Sequence, residues 1–234
     1  MNPTQPSSLS YTRIVLAHLR EDLRLEWRTK DSLNGMLFFA LLVVVVFAMA
    51  FDPTAFPTIA RQISGGLLGV AVLFASMTAL NQSWARETSN HVLDAHRLSP
   101  APASALFVGK ALANFLFVLL VELVLAPVFT LFYNLHPLGD AWKLLLILPL
   151  GTWALVVNGT FFAVLSLRTR TRETLLPLVL LPICMPALLA MIQATTAVLT
   201  GEFEPTLWLK LLVAYDIIFT TVCLLLFDTV LSAD

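Results

Sequence analysis

Long unbroken apolar runs dominate this chain, and six of them reach membrane length. They run from about Asn34 to Phe51, Gly65 to Asn81, Ala103 to Tyr133, Trp142 to Leu167, Leu175 to Leu199 and Leu207 to Leu231. A helix needs about 20 mostly apolar residues to cross the hydrocarbon core. The third run is longer than that, so it is expected to tilt, kink at Pro127 or project from the bilayer. The fifth carries Pro177, Pro182 and Pro186. Each proline removes a helical hydrogen bond, which predicts a kinked or broken helix, either static or moving.

The polar positions between these runs predict two further elements. From Tyr11 to Lys30, Arg20, Arg24 and Arg28 recur every fourth residue beside an apolar strip of Leu16, Leu19, Leu23 and Trp27. That pattern predicts an amphipathic helix lying in the membrane interface. It serves either as a topology anchor or as a surface for a cytoplasmic partner. The organisation expected is a disordered stretch over 1–10, an interfacial helix over 11–33 and a six-helix membrane domain over 34–234. Between the second and third runs, Ala85 to Leu98 can form a short polar helix, stopped by Ser99-Pro100-Ala101-Pro102, because residues before proline avoid the helical region. Arg86, Glu87, Leu98 and Pro100 mark this segment, which is read either as a solvated loop or as a docking helix held between two spans. The loops on the other side are short and leave no room for a separate domain.

Composition fits an all-α membrane protein. The 234 residues are 58% hydrophobic and 12% charged, against about 25% charged in soluble domains. Charge placement sets orientation. Of the 14 Lys and Arg, eleven fall on one side of the alternating spans, and only Arg61, Lys143 and Lys210 fall on the other. Positive charge marks the cytoplasmic face, so both termini are expected there. The first thirty residues lack the layout of a signal peptide, so no cleavage is expected. Cys184 and Cys223 both lie inside apolar runs and read as small buried hydrophobes rather than a disulfide framework.

Candidate chemistry is sparse. Glu122 lies deep in the third run, where a carboxylate is costly unless neutral, paired or facing water. It is read either as a functional group or as a packing residue. Lys110 stands twelve residues earlier in the same run, roughly 18 Å along a helix, too far to pair with Glu122. Lys110 is expected to snorkel to the cytoplasmic surface. Asn114, Asn158, Gln193 and Asp216 are further polar residues at membrane depth, and Asp216 is a candidate for pairing in the interior. His18, His91, His96 and His136 form no metal-ligand spacing. The segment ending in Gly109-Lys110-Ala111 departs from G-x-x-x-x-G-K-[ST], so ATP binding through a P-loop is not expected. Neither a nucleophile elbow nor H-E-x-x-H is present.

Taken in order, several stretches resemble one known family. They are Leu23-Arg24-Leu25-Glu26-Trp27-Arg28, Gly66-Leu67-Leu68-Gly69, Leu73-Phe74-Ala75-Ser76, Leu80-Asn81, Glu87 with Leu98-Ser99-Pro100, and Gly109-Lys110 with Glu122. Gly151-Thr152, Asn158-Gly159-Thr160, Arg172-Glu173 and Leu175-Leu176-Pro177 with Pro182 and Pro186 complete the series. Together they resemble CcmB, the permease subunit of the ABC transporter of cytochrome c maturation. Gly69, where the family often carries tryptophan, and the polar His96-Arg97 depart from it. The resemblance implies an ABC export permease-like fold in the bacterial inner membrane and no enzymatic activity of its own. It implies a separate ATP-binding CcmA-like ATPase, a CcmC-like haem-handling protein, a small CcmD-like subunit, the CcmE-like haem chaperone and a second copy of the chain. Haem is then the species transported or handled by the complex; for lack of convergent ligands in this sequence no directly bound cofactor is expected, and no nucleic-acid partner is expected. The polar residues leave two other classes open: a permease for lipid, polysaccharide or drug, and a non-transporting assembly scaffold.

Overall fold

The computed structural model describes residues 11–89, 102–133, 140–166 and 172–232. It contains α1 (Tyr11–Thr29), α2 (Asp31–Phe51), α3 (Pro57–Ser89), α4 (Ala103–Tyr133), α5 (Leu144–Ser166, entered through a 3₁₀ turn at Ala141–Lys143), α6 (Arg172–Thr200) and α7 (Thr206–Ser232). Among the described residues, six helices, α2 to α7, are long and apolar enough to cross a membrane. The six expected runs correspond to these helices. Their chain order makes the starts of α2, α4 and α6 and the ends of α3, α5 and α7 one side, the Lys- and Arg-rich side, termed the basic side below.

Helices α3 and α5 form the centre. Helix α3 packs on α2, α4, α5 and α6, while α5 packs on α3, α4, α6 and α7. Small residues make this possible. A Cβ added at Gly65 would stand 2.7 Å from the carbonyl oxygen of Ile192, and one at Gly69 would stand 2.6 Å from the Ile192 side chain. The G-x-x-x-G spacing of α3 thus lets its backbone approach α6, the close packing that substitutes for hydrophobic drive between helices in lipid. On α5, Gly151 receives Met191 and Gly159 receives Leu80. The outer helices are less enclosed, with 28% of the apolar window buried in α2 and 22% in α7, against 61% in α3 and α5.

Two helix ends differ from expectation. Helix α1 ends at Thr29, because Lys30 adopts a left-handed conformation (φ 57°) and the chain turns directly into α2. Helix α3 is 33 residues long, roughly 50 Å, so Ala85 to Ser89 of the expected polar helix belong to the spanning helix; the remainder of that segment, 90–98, lies outside the described residues. Helix α4 runs unbroken through Pro127. Helix α6 likewise stays continuous through Pro177, Pro182 and Pro186. A broken helix does not form there, and beside Pro182 the Tyr215 hydroxyl of α7 donates to the Ile183 carbonyl at 2.8 Å.

On the opposite side, the turn after α2 is organised by Asp52 at φ 39°. Its carboxylate accepts the Thr54 hydroxyl at 2.6 Å and the Ala55 N–H at 3.3 Å. The Thr54 hydrogen bond is the main cause that holds the Asp52 carboxyl below its ordinary range.

Candidate functional site

Candidate side chains gather in two places: a junction at the basic side and a polar set at membrane depth. The junction is built from α1. Val15 and Glu26 are buried, and His18, Leu19, Asp22 and Leu23 are half-buried, so residues three and four apart form one inward face. It packs along the start of α4. Gly109 is the point of closest approach, where an added Cβ would lie 2.8 Å from His18 Cβ and 3.2 Å from the Val15 carbonyl oxygen. Leu16 and Trp27, expected on one apolar strip with Leu19 and Leu23, are 60% and 68% exposed. The strip is therefore divided: Leu19 and Leu23 join the protein core, and the other two face outward.

Lys110 corrects the expectation of snorkelling. It is 1% exposed, and its ammonium pairs with Asp22 of α1 at 3.2 Å. It also lies 5.4 Å from the centre of the Trp84 ring of α3, within cation–π range. One lysine therefore ties together α1, α3 and α4. Below it, Glu26 accepts the backbone N–H of Leu33 at 2.9 Å across the Lys30 bend. That N–H is one of the donors a helix start leaves unsatisfied, so Glu26 caps α2 from the preceding helix. Arg20, Arg24 and Arg28 remain exposed on the outward face of α1. Arg86 and Glu87 fall in the last turn of α3, with side chains outside the described residues. Leu98 and Pro100 lie outside them altogether.

In the interior, Glu122 is 6% exposed. Its carboxylate accepts a hydrogen bond from the Thr152 hydroxyl of α5, which joins α4 to α5. Further along α5, Asn158 donates to the Ala154 carbonyl at 2.8 Å and lies 3.4 Å from the Tyr215 hydroxyl. Its side-chain oxygen is 3.9 Å from the Cys223 sulfur. With the Tyr215–Ile183 bond, this network links α5, α6 and α7 beside the Pro182–Pro186 segment. Cys184 and Cys223 are buried free thiols. Asp216 was a candidate for pairing in the interior, and its two carboxylate oxygens have no hydrogen-bond partner among the described residues.

Sequence reasoning singled out Lys110, Glu122, Asn158 and Asp216 but missed what they touch. Asp22 and Thr152 are short polar residues in segments dominated by stronger signals. Only the i, i+4 spacing of Asp22 and Glu26 opposite the arginines offered a clue to the inward face. The Gly65/Gly69 spacing was a readable signal for helix packing. No group of three His, Cys, Asp or Glu able to hold a metal occurs among the described residues.

The family model described as "CcmB protein" matches residues 13–232. A "Heme exporter protein B" of Rhodobacter capsulatus is 33% identical over 173 residues, covering 74% of this chain and 78% of that protein. A protein of the same name from Pseudomonas aeruginosa is 31% identical over 204 residues, covering 86% and 90%. The Escherichia coli K12 protein of that name is 27% identical over 97 residues, covering 42% and 43%. The model match spans α1 to α7, including the Lys110 junction and the Glu122–Thr152 contact, and the chain belongs to the CcmB protein family.

Proposed function

We propose that this chain is the permease subunit of an ABC-type haem-export complex for cytochrome c maturation in the bacterial inner membrane. The family membership and the names of its relatives support the haem-export assignment. The chain is a membrane subunit and not an enzyme, so ATP hydrolysis falls to a separate CcmA-like subunit on the cytoplasmic side, where the positive-inside bias puts both termini. CcmC-like, CcmD-like and CcmE-like proteins and a second copy of this chain complete the assembly. Haem is the handled species, held by the complex rather than by a ligand set of this chain.

The observation that carries the coupling is α1. Its inward face is fixed to α4 by the Lys110–Asp22 pair and to α2 by Glu26, while Arg20, Arg24 and Arg28 are presented outward. A force applied to that basic face reaches three helices through short, buried contacts. With Arg86, Glu87, Leu98 and Pro100, it forms the docking surface for the ATPase. Lys110, Glu122, Asn158 and Asp216, with the Pro177, Pro182 and Pro186 segment of α6, form the intramembrane polar set through which the motion passes.

The haem-export assignment is tested by removing the gene from a cytochrome c-producing host. Loss of covalent haem on c-type cytochromes, with the apoproteins still exported and restored by this chain, is expected. Unaltered holocytochrome levels would contradict the reading.

A further inference from the structure

A groove of about 420 Å³ opens on the outer flank of the bundle between α5 and α7. Its walls include Leu150 and Trp153 of α5 and Val213, Asp216, Ile217 and Thr220 of α7. The Trp153 indole N–H donates to the Thr220 hydroxyl at 3.0 Å, which holds the two walls together. Asp216 is 8% exposed, and both its carboxylate oxygens are without a partner among the described residues. Ile217 beside it is 64% exposed. A buried carboxylate with no donor therefore lines an open, mostly apolar cleft on the least enclosed helix of the bundle.

Depth decides what can satisfy it. Asp216 stands ten residues into α7, roughly 15 Å from one end and 24 Å from the other. Water is scarce at that level, and an ionisable residue there ordinarily pairs with another or faces a polar cavity. Lys210 lies six residues along the same helix, roughly 9 Å away. Lys110 is engaged with Asp22 and Trp84. A second copy of this chain packed about a two-fold axis on this face would present the same patch. That patch has no Lys or Arg in its lining, so it brings no cation to Asp216.

We infer that the Asp216 groove receives a transmembrane helix of a different membrane subunit, which places a Lys or Arg side chain against the Asp216 carboxylate. The apolar walls take the helix body, and the single charge fixes its depth and rotation. This rests on the reading of the chain as one subunit of a multi-subunit membrane complex.

The test is a photo-crosslinking residue at Ile217 in the full complex in native membranes, with adducts identified by mass spectrometry. Expected is an adduct to a transmembrane segment of another subunit that carries a Lys or Arg within one turn of the crosslinked position. Its yield should fall about tenfold or more in Asp216→Lys, because breaking a buried ion pair strands a charge. The yield should return when that basic residue is changed to Glu. Asp216→Leu, which inserts readily, should lower the yield in the same direction. Adducts to lipid only, adducts to another copy of this chain, or a yield indifferent to Asp216→Leu would each overturn the inference. The ATPase in the same preparation separates the two failures. Its presence alongside lipid-only adducts sinks the groove proposal alone, and its absence sinks the complex.

Discussion

Lys110 and Asp22 form a charged pair inside an otherwise apolar junction, and removing one strands the other. Lys110→Met is expected to lower stability in detergent by about 1–3 kcal/mol, less than for a wholly enclosed pair because Asp22 is 15% exposed. A thermal melt checks this, and the exchanged pair Lys110→Asp with Asp22→Lys should recover part of the loss. Glu122 poses a similar question with a neutral partner. Thr152→Val removes the donor to its carboxylate and should cost about 1–3 kcal/mol, as for a buried acceptor left unsatisfied. Glu122→Gln keeps an oxygen for the Thr152 hydroxyl and should preserve protein level and ATPase association. If the charge or proton of Glu122 serves the transport cycle, the Gln variant should lower cytochrome c maturation; normal maturation would make Glu122 a packing residue. Both polar residues were visible in the sequence because a charge within an apolar run stands out. Their partners were not. Asp22 is 88 positions from Lys110, and nothing local to either position encodes that distance.

At the scale of elements, glycine decides where helices touch. Gly65→Ala would push a methyl against the Ile192 carbonyl, and overpacking of this kind typically costs about 1–3 kcal/mol. Gly66 has nothing within 4 Å of an added Cβ, so Gly66→Ala should melt like the parent chain and serves as the internal control. Tyr215→Phe deletes the bond to Ile183 and should lower stability by about 1 kcal/mol. Faster hydrogen exchange near Ile183 than in the parent is the accompanying sign. All six spans were legible because their apolar length is a sum over many residues. The continuity of α6 was not, because three prolines argue locally for a break. The helices packed around α6 supply the surroundings in which a proline-bearing span is tolerated. The end of α1 was misplaced by a few residues for a related reason: Lys30 takes its left-handed turn under tertiary constraint, with Glu26 reaching across to cap α2.

For the whole molecule, the charge bias and the helix order give one orientation. Single cysteines at Arg13 and Glu202 should label from opposite sides of the membrane, and the native Cys184 and Cys223, both buried, need not be removed. Labelling of both from the outside would contradict the six-span topology. The architecture sets an outer α1 along α4 beside a centre of α3 and α5, and the Lys110–Asp22 pair and the Glu26 cap hold it there. This arrangement suits the transfer of force from a surface into the bundle. The most direct measurement is purification of the complex in mild detergent, with the parent chain and with an Arg20→Glu, Arg24→Glu, Arg28→Glu variant that accumulates normally in the membrane. An ATPase subunit should co-purify with the parent chain and be lost from the variant, along with stimulated ATP hydrolysis. No ATPase with the parent chain, or full retention of ATPase and hydrolysis with the variant, would contradict a permease driven through α1.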